Sequence, residues 1–73
     1  MKLRNLFARN LKAARLLKGM SQEDLAYEAE LDRTYISALE RRIYSPSLDV
    51  IEKLSKALEL DAYLLLMAPD KPD

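Results

Sequence analysis

With neither cysteine nor histidine in its 73 residues, this chain offers no thiolate, no imidazole and no disulfide. That removes cysteine nucleophiles, thiolate metal sites and the commonest proton shuttle together. Its one glycine, Gly19, leaves no glycine-rich loop to cradle a phosphate. The carboxylates Glu23, Asp24, Glu28, Glu30 and Asp32 fall where helical faces are exposed, with nothing to shift them toward acid–base work. No enzymatic activity, cofactor, metal site or small-molecule substrate is therefore expected. What remains is hydrogen-bonding chemistry: arginines, whose planar fork matches paired acceptors and phosphates, and short hydroxyl side chains.

These groups are unevenly spread. Twelve Lys and Arg balance twelve Asp and Glu, so the formal net charge is zero. Lys2, Arg4, Arg9, Lys12, Arg15 and Lys18 stand in residues 1–20 without one acid, whereas residues 21–32 carry acids and no base. Arg33, Arg41 and Arg42 against Glu40 make residues 33–44 positive again. A neutral average can hide one positive and one negative surface, but charge alone favours the plainer reading of a solvated mixed-charge exterior. The longest apolar stretch, residues 64–68, is too short to span a bilayer, and the charged start is unlike a signal peptide. A soluble, cytoplasmic protein is expected.

Helices must position these side chains. Leu3, Phe7, Leu11 and Ala14 recur at steps of three and four over residues 2–18, with Leu6 and Leu17 widening the stripe and Gly19 as a stop. Ser21 reads as an N-cap with Asp24 three residues on, before a short helix whose face is Leu25, Ala26 and Ala29. Asp32 caps the next, from Arg33 to about Arg41. Ser45 or Ser47 caps a fourth helix with Leu48, Ile51, Leu54 and Leu58 on one face, and Asp61 caps a last one from Ala62 to about Met67. The expected fold is all-α: a compact five-helix domain over residues 1–68 and a flexible tail, 69–73. A core of this size supplies only about 3–5 kcal/mol, so good packing or a partner subunit must help.

The helix opened by Arg33 has two unlike faces. At about 100° per residue, Arg33, Thr34, Ser37, Ala38 and Arg41 fall within an arc of roughly 140°. Tyr35, Ile36, Leu39 and Glu40 take the other side. Short side chains let a helix backbone approach another surface closely, while one long arginine reaches further, which is what reading base edges in a major groove requires. Two short helices joined by so tight a turn must cross steeply, in a unit used for that purpose.

The pattern Ser21-Gln22-Glu23-Asp24-Leu25-Ala26, then Leu31, Tyr35-Ile36-Ser37, Leu39-Glu40-Arg41, Pro46-Ser47-Leu48, Leu54, Ala57 and Leu58 resembles the phage lambda repressor/Cro type of helix-turn-helix domain, the XRE family. The string from Leu31 to Ser37 is also similar to restriction–modification controller proteins within it. The resemblance implies a lambda-repressor-like fold and roles by position. Gln22 would begin the motif, reaching a phosphate or bracing the recognition helix. Arg33 and Thr34, with Ser37 and Ala38 one turn later, would read base edges. Tyr35 would lie on the sugar-phosphate backbone, although its position also suits a core or covering residue. Arg41, Arg42 and Tyr44 would touch phosphates, and Arg15 would pair with Glu40 as a structural ion pair. Where Glu30 stands the family often has glycine in a left-handed turn; a glutamate there would cost about 1–2 kcal/mol, or the turn takes another shape.

The run Ala62-Tyr63-Leu64-Leu65-Leu66-Met67 is too apolar for one face of a short helix, and its surplus suggests a subunit contact. A homodimer interface at Tyr63, Leu65, Leu66 and Met67 is expected. The partner implied by the resemblance is double-stranded DNA, read as a pseudo-palindrome by a transcription regulator, with no membrane association. The competing expectation is an antitoxin or other interaction module, whose acidic second helix and C-terminal helix would hold a protein partner.

Overall fold

The computed structural model describes residues 2–68; the tail expected to be flexible lies outside the described residues. Helix α1 spans Lys2–Leu17, α2 Gln22–Ala29, α3 Arg33–Glu40 and α4 Leu48–Leu58, followed by a 3-10 turn at Ala62–Leu65. No strand occurs among the described residues, so the all-α expectation holds. None of these helices is long and apolar enough to cross a membrane.

Local side chains set the helix starts. Ser21 and Asp24 form a reciprocal capping box: Ser21 Oγ accepts from the Asp24 amide at 2.9 Å, and the Asp24 carboxylate accepts from the Ser21 amide at 3.0 Å. Such a box satisfies two of the amides a helix leaves orphaned. Asp32 accepts from the Thr34 amide at 3.1 Å and Ser47, rather than Ser45, from the Val50 amide at 3.1 Å. Asp61 makes no cap hydrogen bond with its side chain, and the expected fifth α-helix is instead a four-residue 3-10 turn. One turn must fix several dihedrals for its first hydrogen bond, so a segment this short without a cap gains little from α geometry.

Phe7 and Leu11 of α1, Leu25 of α2, Ile36 and Leu39 of α3, Leu54 of α4 and Leu65 of the turn are the large side chains wholly inside. Burying each is worth about 1.5–3 kcal/mol. Three edges of the expected core lie outside it: Leu3 is 47% exposed, Leu17 92% and Leu48 82%. Each lies in the first two positions or at the last residue of its helix, where the chain leaves the core before a neighbour covers it. Leu65 needs a correction. Expected at a subunit interface, it is 1% exposed and packs into the core. The side-chain amide of Asn10 explains its place, donating to the carbonyls of Leu65 and Met67, both at 2.9 Å, and so strapping the C-terminal segment across α1.

All four helices end in the same way. At the close of α2, Leu31 N–H donates to Ala26 O at 2.8 Å and Glu30 N–H to Tyr27 O at 3.2 Å. Ile43 and Arg42 repeat this on Ala38 and Leu39 after α3, as do Leu60 and Glu59 after α4 and Met20 and Gly19 after α1. This is the Schellman arrangement, which needs one left-handed residue. Only Gly19, at φ 75°, is suited to it; Glu30 (58°), Arg42 (66°) and Glu59 (57°) carry a side chain there. The Glu30 turn is thus left-handed, and the strain is accepted. Glu30→Gly is expected to stabilise the fold by about 1 kcal/mol, which in a domain this size raises the melting temperature by roughly 4–8 °C. A thermal melt that fails to rise would mean the turn holds glutamate without strain.

Candidate nucleic-acid interface

The two eight-residue helices α2 and α3 are joined through Glu30, Leu31 and Asp32, and the capped start of α3 projects Arg33 and Thr34 into solvent. Behind them Ile36 and Leu39 are fully buried and hold the helix down. Ser37 is half-buried and Arg41 exposed, so these two join Arg33 and Thr34 in one outward strip. Ala38 does not. It is 8% exposed, covered where the chain doubles back after α3: Ile43 N–H donates to its carbonyl at 2.9 Å, and Ile43 and Tyr44 lie beside it. The expected base-edge role of Ala38 is corrected to that of a small residue that admits this loop. Tyr35 is half-buried against the core and tilts onto Tyr44, their ring centroids 6.1 Å apart. An aromatic pair of this kind adds about 0.5–1.5 kcal/mol and ties the loop to α3. Tyr44, Arg41 and Arg42 remain exposed along that loop.

Beneath the strip lies a polar knot. Arg15 of α1 donates from Nε to Glu40 Oε2 at 2.7 Å and from Nη2 to Oε1 at 3.0 Å, a bidentate pair whose side chains are only 8% and 4% exposed. The third donor, Nη1, reaches Met20 O at 2.9 Å. Gln22 at the head of α2 donates to Glu40 Oε1 at 3.1 Å. Glu40 therefore binds α1 and α2 to the end of α3, and no buried side-chain polar atom is left without a partner among the described residues. The hydrogen bond to Glu40 raises the Arg15 pKa further above its ordinary value, with burial opposing, so the guanidinium stays charged. Gln22, half-buried in this knot, stands next to the strip and braces it from below.

The sequence pattern described as helix-turn-helix matches residues 11–65 of the chain, from mid-α1 through the 3-10 turn. The chain belongs to the helix-turn-helix family. A hypothetical transcription factor of Neisseria meningitidis is 46% identical over 69 residues, covering 94% of this chain; the chain spans 65% of that protein's length. Control protein C.BamHI of Bacillus amyloliquefaciens is 54% identical over 57 residues, 77% of this chain and 70% of its own. Among solved structures, the restriction-modification controller protein C.Esp1396I, a tetramer in complex with its natural 35 base-pair operator, superposes with a TM-score of 0.83 at 40% identity. The match covers 89% of this chain and 86% of that one.

Within the helix-turn-helix domain the remaining candidate residues divide. Of the four residues expected at a subunit contact, Tyr63 and Met67 are exposed, Leu66 is half-buried against the core and Leu65 is inside it. Sequence reasoning missed Asn10, and it missed Arg4, whose Nε donates to Ser45 Oγ at 2.8 Å and pins the start of α1 to the loop after α3. For Asn10 a signal existed: asparagine inside an apolar helical repeat is a poor helix former and needs a partner. Lys18 and Glu59 make the second described ion pair at 2.6 Å, on the surface, where the Lys18 hydrogen bond holds the Glu59 carboxyl below its ordinary range.

Proposed function

We propose that this helix-turn-helix domain is a sequence-specific regulator of transcription that binds double-stranded DNA as a homodimer. Its site would be a pseudo-palindromic operator near its own promoter, in the manner of a controller protein. The observation that carries the reading is the strip on α3: Arg33 and Thr34 exposed, Ser37 beside them, on a helix whose back is anchored by Ile36, Leu39 and Glu40. A rigid helix with a short polar front and one long arginine suits major-groove readout, where an arginine bidentate to guanine contributes about 1–3 kcal/mol of discrimination. That C.Esp1396I assembles on an operator supports the reading. Two copies joined through Tyr63, Leu66 and Met67 would place two α3 helices on half-sites about 34–36 Å apart. Arg41, Arg42, Tyr44 and Tyr35 would flank them along the phosphates, while Gln22 serves mainly as a brace.

Selection from random duplex DNA near physiological salt tests this. Wild type is expected to recover a two-fold-symmetric site, and Arg33→Ala to lose definition at one position per half-site. Arg41→Ala should weaken all sequences alike and flatten the salt dependence, as loss of a phosphate contact does. Recovery of one and the same motif from wild type and Arg33→Ala would move the reading face elsewhere.

A further inference from the structure

We infer that the groove between α1 and the loop after α3 is a phosphate clamp, formed by Arg9, Lys12 and Arg42, that takes a DNA backbone phosphate beyond the edge of the reading helix. The inference rests on the DNA-binding role proposed above and extends the contact surface to a helix outside the helix-turn-helix unit. Arg9, Lys12 and Arg42 line one groove of about 550 Å3 together with Asn5, whose amide adds a hydrogen-bond donor. The carboxylate at its wall does not neutralise them: both oxygens of Glu40 are engaged, by Arg15 and Gln22. The two ion pairs among the described residues use Arg15 and Lys18, so the three groove cations have no carboxylate partner there. Among the described residues, three positive charges thus border one open volume with no carboxylate to neutralise them.

One further observation favours a backbone phosphate as that anion. The groove opens at the C-terminal end of α3, whose eight residues measure about 12 Å, similar to the ~12 Å width of the major groove. With the N-terminal residues of α3 on base edges, its far end comes to the phosphate wall. Arg42 also keeps a left-handed backbone at φ 66°, where glycine would be free of strain. Glu30 and Glu59 share that geometry; at this helix end the position carries a cation that lines the groove.

The experiment measures DNA affinity against salt for wild type, for the Arg9→Gln/Lys12→Gln double variant and for Arg42→Gly, on specific and unrelated duplexes, with thermal melts alongside. Loss of one phosphate contact per subunit should lower the log–log slope of a dimer by about 1.8 and the affinity on the order of tenfold to a hundredfold at 0.1 M salt, equally on both duplexes. Melting of the double variant should not change, since both side chains are exposed on α1. Arg42→Gly should melt higher yet bind less tightly, a combination that a purely structural role for Arg42 does not produce. Wild-type slopes in both variants, with DNA binding intact, overturn the clamp and leave the regulator reading standing; no DNA binding by wild type at any salt overturns both. If inorganic phosphate perturbs the Arg9 and Lys12 resonances while the DNA slopes of variants and wild type coincide, the groove serves a free anion and the backbone assignment is overturned.

Discussion

Glu40→Ala is expected to destabilise this domain by about 3–5 kcal/mol, the range for removing one member of a buried ion pair. The size follows from what is left behind. Arg15 keeps a single contact, to Met20 O, and its guanidinium has nowhere to go, since its side chain is only 8% exposed. The Gln22 amide loses its acceptor as well. Native stability of roughly 0.05–0.15 kcal/mol per residue amounts to about 4–11 kcal/mol for a chain of this length, so the variant should be partly unfolded at 37 °C. Glu40→Gln should fall between, because an amide oxygen still accepts one Arg15 N–H without the charge. Arg15→Met combined with Glu40→Leu should recover most of the loss, as buried pairs replaced by apolar side chains of similar volume often do. Arg15 adds no pH dependence over the working range. Its pKa is raised on folding, so its contribution is complete below the unfolded value and disappears only as pH climbs through the still higher folded one. Urea denaturation of the three variants checks the series. A Glu40→Ala protein as stable as wild type would mean that Arg15 reaches solvent when the carboxylate is absent.

What was legible in the sequence is what depends on neighbours along the chain. The caps at Ser21 and Asp32, the buried pair Ile36 and Leu39, and the projecting Arg33 and Thr34 all follow from spacings of two to four residues. The family resemblance alone marked Glu30 as a conflict between residue type and turn, and the backbone resolves that conflict by keeping the left-handed geometry. The misplaced residues depend on segments distant in sequence or on chain direction after a helix ends. Ala38 lies on the outward arc of the helical wheel, yet the returning loop covers it, and a wheel contains no loop. Leu48 continues the apolar period of α4 but sits at its first residue, beyond any covering element. Arg15 and Glu40 are 25 residues apart, and no periodicity connects them; the family resemblance alone paired them. Asn10 spans 55 residues to reach the Leu65 carbonyl. The site is therefore assembled from a locally encoded helix pair and long-range polar ties that hold it at a fixed angle.

Leu65→Asp and Met67→Asp are expected to behave oppositely, although two residues apart. Leu65 is 1% exposed inside the core, so a carboxylate there forfeits roughly 2–5 kcal/mol of apolar contact and adds the several kcal/mol of burying a charge. That exceeds the stability available to a small domain, and the variant should lose its cooperative melt. Met67 is 48% exposed, and its backbone carbonyl is held by Asn10. An aspartate there stays in water in the monomer and should leave the melt within about 0.5 kcal/mol of wild type at high dilution, as surface changes do. In the proposed dimer the same carboxylate would meet its own copy across a two-fold axis, in an apolar contact with Tyr63 and Leu66. Sedimentation equilibrium should then report monomers for Met67→Asp and dimers for wild type. Dimers that persist in Met67→Asp and equally in Tyr63→Asp would place the subunit contact away from the C-terminal segment. The Asn10 strap gives a second handle on the same question. Asn10→Ala frees the Leu65 and Met67 carbonyls, and dimerisation should weaken even though no side chain of the apolar surface has changed.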